Sequence, residues 1–281
     1  MALSKNKILL LVEGYKTEPY LMEMYANALK EDFELNVVSF GTNIYVLYQS
    51  IKALNSQFGS DSTSTLEMLK SILKERESKL DEIKNLDELT KIRSDLKILD
   101  DKFPYIYLLF DLEMQDNHFN DEEKKSILLE MKEYFNDETE NGLLLINYPM
   151  IESFRDYQRP APSDEYFDRY IEKHESKKYK EIVGRRGNNL NLGKYSKTDF
   201  ENITLQNILK VNYLLENIKD SPSYHDFLNY IQNDSIINKQ FEFMEQEKRI
   251  YILCCGVFVY ISFFGKDYYT HIVSRWCSNL I

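Results

Sequence analysis

Residues Ile8 to Val12 are five consecutive aliphatic side chains that run straight into Glu13 and Gly14. A segment apolar on both of its alternating faces suits a strand in the middle of a parallel sheet, with helices covering both sides. The run Lys7 to Glu13 is therefore read as a buried strand. A turn follows at Gly14-Tyr15-Lys16, Thr17 is placed to cap a helix, and Glu18 and Pro19 suit that helix's first turn. Leu35 to Phe40 reads as a second strand ended by Gly41, so the first forty residues predict a β-α-β unit.

The same alternation continues. Pro104 precedes a third strand, Tyr105 to Phe110, which ends in Asp111-Leu112-Glu113. A polar loop leads to a helix over Asp121 to Phe135, and a fourth strand spans Leu143 to Asn147. This order predicts an α/β fold with a four-stranded parallel sheet and helices on its faces. Between the second and third strands, Asn43 to Ser56 is amphipathic. Ser64 to Asp101 contains no Gly or Pro and repeats Leu and Ile at helical spacing, with a break near Lys84 to Asp87 that predicts a helical hairpin. This insertion, 43–101, reads either as an arm for homo-oligomer or partner contact or as an ordinary pair of covering helices. Beyond the core at 1–155, residues 156–281 read as mainly helical, with helices over Ser163 to His174, Lys197 to Ile218 and Ser223 to Glu247.

Three cysteines, Cys254, Cys255 and Cys277, give neither zinc spacing nor a good disulfide pair, which suits a reducing, cytoplasmic setting. Ile8 to Val12 is too short for the apolar region of a signal peptide. The apolar stretch Ile250 to Phe264 is shorter than the ~20 residues of a membrane-spanning helix and is expected to be buried core, with no membrane association. Net charge is −11, which by itself disfavours binding to phosphates. The distribution is uneven. Residues 173–197 hold eight basic side chains (Lys173, Lys177, Lys178, Lys180, Arg185, Arg186, Lys194 and Lys197) against Glu175 and Glu181, leaving about −17 on the rest of the chain. Such a strip is either a nucleic-acid footprint or a solvated face.

Ligands of open parallel sheets gather at the carboxyl ends of the strands. Glu13 ends the first strand; Asp111 and Glu113 end the third, and strand alternation would aim both the same way. If the two strands are neighbours, three carboxylates converge and raise one another's pKa, a repulsion that Mg²⁺ or Mn²⁺ relieves. Strand-end acids also serve as plain loop anchors. Lys16 either meets phosphate or is an exposed turn lysine, and His118 either meets substrate or is a loop histidine. No Gly-x-x-x-x-Gly-Lys-[Ser/Thr] run and no nucleophile elbow occurs in the sequence.

Val12-Glu13-Gly14-Tyr15-Lys16-Thr17-Glu18-Pro19-Tyr20 resembles the opening motif of Toprim-like nucleases, in particular the RloB-like and OLD-like group, in which Glu-Gly and Thr-Glu occur together after an apolar strand. Phe110-Asp111-Leu112-Glu113 is similar to the second Toprim motif, Asp-x-Asp, with Glu113 standing where that motif has Asp. Asn147-Tyr148-Pro149-Met150-Ile151-Glu152 is similar to the Asn-Pro turn and following Glu of that group, with Tyr148 inserted. The resemblance covers residues 7 to 155 outside the helical insert. It implies a Rossmann-like Toprim core and a metal-dependent nuclease acting on DNA or RNA, tRNA included. Glu13, Asp111 and Glu113 would hold Mg²⁺ or Mn²⁺, with Glu13 as general base or ligand and Glu152 completing the shell. Outside the resemblance, Lys194 or Lys197, which flank Tyr195 in the basic strip, either steadies the reacting phosphate, with Lys197 the catalytic candidate, or is plain exposed surface; Lys16, Lys177, Lys178, Arg185, Arg186, Lys194 and Lys197 are the candidate nucleic-acid contacts. The resemblance further implies a role in phage defence beside a separate ABC-type ATPase. The other reading is a scaffold or sensor subunit that keeps the fold without catalysis.

Overall fold

The structure, a computed structural model, describes residues 6–58, 64–83, 86–159, 162–186 and 192–278. Its first half runs β1 (Lys7–Val12), α1 (Thr17–Leu29), β2 (Glu34–Ser39), α2 (Ile44–Phe58), α3 (Thr65–Ile83), α4 (Leu86–Ile98), β3 (Tyr105–Asp111), α5 (Asp121–Tyr134), β4 (Asn136–Asp137) and β5 (Gly142–Asn147). A 3-10 helix, Ile151–Asp156, leads into α6 (Asp164–Phe167), β6 (Tyr170–Glu172), a second 3-10 helix, Lys173–Lys178, and α7 (Tyr179–Arg185). After a short 3-10 turn, Leu192–Lys194, come α8 (Lys197–Glu216), α9 (Tyr224–Gln232), α10 (Ser235–Gln246), β7 (Arg249–Tyr251) and α11 (Phe258–Ser278).

The main sheet has the order β2-β1-β3-β5-β4. Four strands are parallel, as expected, and the two-residue β4 adds an antiparallel edge. Ile8 to Val12 are fully buried because both faces of β1 are covered. Right-handed crossovers place α1 on one face and the helices after β2 on the other, since β2 leads back across β1 to β3. Alternate residues of β3 record the two sides. The Tyr107 hydroxyl bonds Ser262 of α11 at 3.2 Å, whereas the Phe110 ring meets Phe40, which carries the Arg76 guanidinium of α3. On the α11 side, Tyr25 of α1 stacks on Phe200 of α8 at 4.6 Å and packs on Tyr260 of α11.

Several expectations change. Ser163 to His174 is not one helix: β6 interrupts it and pairs antiparallel with β7. Ser223 to Glu247 divides into α9 and α10 at Asn233 and Asp234. Thr17 lies inside the first turn of α1, and Lys16 holds the cap position without a side-chain cap bond. The expected break near Lys84 falls partly outside the described residues, but α3 and α4 do pack as a hairpin. Their apolar stripe, including Leu69, Leu73, Ile92 and Leu99, is spent on the shared core rather than left open on an arm. The C-terminal helices join that same core. The apolar stretch from Ile250 is buried as expected from Ile252 to Ile261, and among the described residues no helix is long and apolar enough to cross a membrane. Cys254 and Cys255 are buried free thiols; the side chain of Cys277 lies outside those described.

One glycine locks the turn after β1 to the hairpin. Gly41 has φ +76°, and a Cβ there would stand 1.9 Å from the Tyr15 hydroxyl. That hydroxyl donates to Glu88 of α4 at 3.1 Å, and Glu88 also takes the Arg76 guanidinium of α3 at 2.7 Å. Gly41→Ala combines left-handed backbone strain with a clash and is expected to cost about 2–4 kcal/mol. Urea denaturation measures this; an unchanged midpoint would contradict the packing described.

Candidate active site

The acids at the carboxyl edge come together because β1 and β3 are adjacent and in register, with Val12 opposite Leu109. Glu13 follows β1 directly, and its Oε2 accepts the Asp111 backbone N–H at 3.3 Å. Asp111, the last residue of β3, is buried, and its Oδ1 accepts from the Asn147 side-chain amide at 3.1 Å. Asn147 sits opposite Asp111 on β5, and its Oδ1 takes the Gly256 N–H, also at 3.1 Å. Because a backbone N–H can only donate, this bond fixes the amide so that its NH₂ faces Asp111.

Two further carboxylates join from outside the strands. Glu18 folds back over the turn, so close that a Cβ on Gly14 would stand 2.7 Å from its Oε2. Glu152, buried in the first turn of the 3-10 helix after β5, pairs with Lys180 of α7 at 2.6 Å. Burial and mutual repulsion set the electrostatics. The Glu13 carboxyl is pushed up to about 8 by burial and by Glu113, eased by the Asp111 amide, with Glu18 adding to the rise. Asp111 is held well above the usual carboxylate range by burial and then by Glu13 and Glu18, against the Asn147 amide. Burial raises Glu18 too, with Glu152 acting in the same direction.

Glu113 stands beyond the end of its strand. The strand ends at Asp111, so alternation no longer governs position 113, which lies in a loop closed by the Met114 N–H on the Leu112 carbonyl. Burial raises Glu113, its bond to Gln115 opposes this, Asp116 adds to the rise, and Lys124 and Lys177 offset it. Glu13 is thus the member that feels both the inner acids and Glu113.

The expected basic residues divide by surroundings. Lys177 and Lys178 are exposed on the 3-10 helix, and Lys177 is near enough to act on Glu113. Arg185 lies 3.8 Å from Glu181, whereas Arg186 is taken up by the buried Asp156 at 3.1 Å and so serves the fold. Lys16 and Lys194 are exposed, the latter on its short 3-10 turn. Lys197 is exposed in the first turn of α8, and among the described residues no hydrogen bond or ion pair joins it to the acids. The turn after Arg186 lies outside the described residues. His118 is exposed and contacts Asp116 rather than the acid cluster. From sequence, Glu18, Asn147 and Lys180 were given no place in the site. For Asn147 the signal was present, since it ends a central strand as Asp111 does.

No family model, curated protein or solved structure matches this chain.

The donor chemistry at this edge suits a hard divalent cation: carboxylate oxygens, one carboxamide, and charges that repel until neutralised. The arrangement is not a finished ligand shell. Among the described residues, no three acidic, histidine or cysteine side chains stand close enough together to enclose an ion. A cleft of about 460 Å³ opens next to Glu113 from Met114 and Gln115 toward Lys177. A larger one of about 780 Å³, between α5 and α9, touches none of the five acids.

Proposed function

We propose that this chain is a Toprim-type, metal-dependent endonuclease that hydrolyses phosphodiester bonds in DNA or RNA. One observation carries the reading: Glu13 and Asp111, on adjacent parallel strands, share a desolvated edge with three more acids and are both raised by that company. Strand-end anchors of a plain fold would be paired or solvated, and among the described residues only Glu152 of the five forms an ion pair. Glu13, Asp111 and Glu113 would hold Mg²⁺ or Mn²⁺, which supplies charge neutralisation at the phosphate and a more acidic bound water. The chain's own groups do the rest. Asn147 orients the Asp111 carboxylate, and the Asp111 amide holds Glu13 in place for proton transfer. The Lys180 ammonium pairs with Glu152 beside them, and Lys177 offers a charge to substrate phosphate. A place in phage defence, with a separate ABC-type ATPase as partner, belongs to the same proposal through the motif resemblance.

The test uses plasmid, linear DNA and total tRNA, offered to the purified chain with Mg²⁺, Mn²⁺ or EDTA, with and without a co-expressed ATPase. Cleavage is expected only with metal and is expected to fall at least about 10³-fold in Glu13→Ala and Asp111→Ala. Cleavage that persists in EDTA, or equally in both variants, would refute it. A second reading, a non-catalytic subunit on the same fold, is favoured by the unclosed ligand set. It predicts that these variants bind partners as the wild type does and that no metal restores cleavage.

A further inference from the structure

The cleft beside Glu113 is lined by basic groups on an otherwise acidic molecule. Lys173, His174, Lys177 and Lys248 line it with the polar Gln115 and Ser176, and no carboxylate is among its lining residues. It adjoins one of the acids: Gln115 bonds Glu113, and Lys177 acts on the same carboxylate. Two strand ends build the far wall. The Lys173 N–H donates to the Lys248 carbonyl at 2.8 Å, extending the β6–β7 pairing. Lys173 is neutralised by Asp121 of α5 and acts as wall rather than ligand.

Lys177 and Lys248 remain. Lys177 is exposed and makes no hydrogen bond or ion pair among the described residues. Lys248 has φ 60° because it follows the C-cap of α10, where helices commonly end in left-handed backbone, and among the described residues its ammonium bonds the Glu245 carbonyl at 3.0 Å and no carboxylate. Two lysines without an ion pair among the described residues, lining one cleft sized for a small ligand, point to anion binding.

We infer that this cleft is a phosphate subsite, in which Lys177 and Lys248 hold a phosphodiester of one polynucleotide strand beside the bond presented to Glu13 and Asp111. The inference rests on the nuclease reading for its choice of ligand, and it explains how a chain of net charge −11 accepts a polyanion: the strand enters where the local field is positive. The loop from Glu113 to Gln115 joins the subsite to the acids.

The experiment measures anisotropy of a fluorescein-labelled single-stranded oligonucleotide, as DNA and as RNA, with the full chain in EDTA so that nothing is cut. Lys248→Gly removes the ammonium and suits the left-handed backbone, so the variant is expected to fold and to melt no lower than wild type. The double variant Lys177→Gln/Lys248→Gly is expected to bind about 10-fold more weakly and to lower the salt slope by about 1, while the distant Lys74→Gln changes neither. Unchanged affinity and slope in the double variant would overturn the subsite even if the enzyme cuts. Weakened binding by the double variant, with no cleavage by wild type in Mg²⁺ or Mn²⁺, would sustain the subsite and sink the nuclease reading alone. Equal displacement of the strand by millimolar inorganic phosphate from wild type and double variant would also count against it.

Discussion

Glu13→Gln is expected to stabilise the folded chain at pH 8 and to leave it indifferent to divalent cations. The folded-state pKa of Glu13 lies near 8, above its ordinary 4.5, so the folded protein holds this proton more tightly than the unfolded chain does. The resulting stability is complete below pH 4.5 and is lost as pH rises through about 8. A neutral amide at position 13 removes that loss. The full displacement corresponds to about 5 kcal/mol, and water reaching the half-buried carboxylate reduces it to about 2 kcal/mol, or ~5 °C in melting temperature. Millimolar Mg²⁺ or Mn²⁺ should raise the wild-type melting temperature at pH 8, barely alter it at pH 5 where a proton already occupies Glu13, and leave Glu13→Gln unmoved. Melting curves at both pH values decide the matter, and a variant less stable than wild type at pH 8 would contradict the buried-charge account.

The sheet was legible because its strands announce themselves. Ile8 to Val12, Tyr105 to Phe110 and Leu143 to Ile146 are continuous apolar runs, and only burial on both faces explains them. β6 was not legible. Tyr170-Ile171-Glu172 looks locally like helix, and its strand character comes from pairing with Arg249–Tyr251 at the far end of the chain. The hairpin stripe was readable as amphipathic, but periodicity does not say which surface it covers, and α4 proves to pack against β2. At the site, Glu13 and Asp111 followed from the strand-end rule. Glu113 lies past the last residue of the strand, where alternation no longer applies, yet its charge still acts on Glu13. Glu18 was read as a favourable helix-start residue, since its approach to Gly14 depends on a turn that spacing does not describe. Charge counting found the basic strip but could not separate Arg186, consumed by Asp156, from Lys177, which faces the acids.

The buried lysines should give the stability profile its other limb. Lys132 donates to the carbonyls of Leu144 at 2.7 Å and Ile231 at 2.5 Å, joining α5 to β5 and α9. Lys210 donates to the carbonyls of Tyr166 at 2.9 Å and Arg169 at 3.1 Å, with its ammonium over the Tyr166 ring. Burial pushes both down to about 7 from 10.5. Between those values the unfolded chain binds the proton and the folded chain does not, so stability rises with pH across that window. Glu13 loses stability up to about pH 8 while the two lysines gain it from about 7, and the wild type is therefore expected to be least stable near pH 7. Above about pH 10 the buried tyrosines, Tyr25 and Tyr107 among them, turn the curve down again, because their raised pKa values favour ionisation in the unfolded chain. Lys210→Met keeps most of the volume but leaves two buried carbonyls without a donor. It should cost about 2 kcal/mol at pH 7 and about 4 kcal/mol at pH 9.5, because the wild type gains over that range and the variant does not. Chemical denaturation across pH measures both effects, and a Lys210→Met penalty that does not change between pH 6 and 9.5 would mean that this lysine is charged in the folded protein throughout.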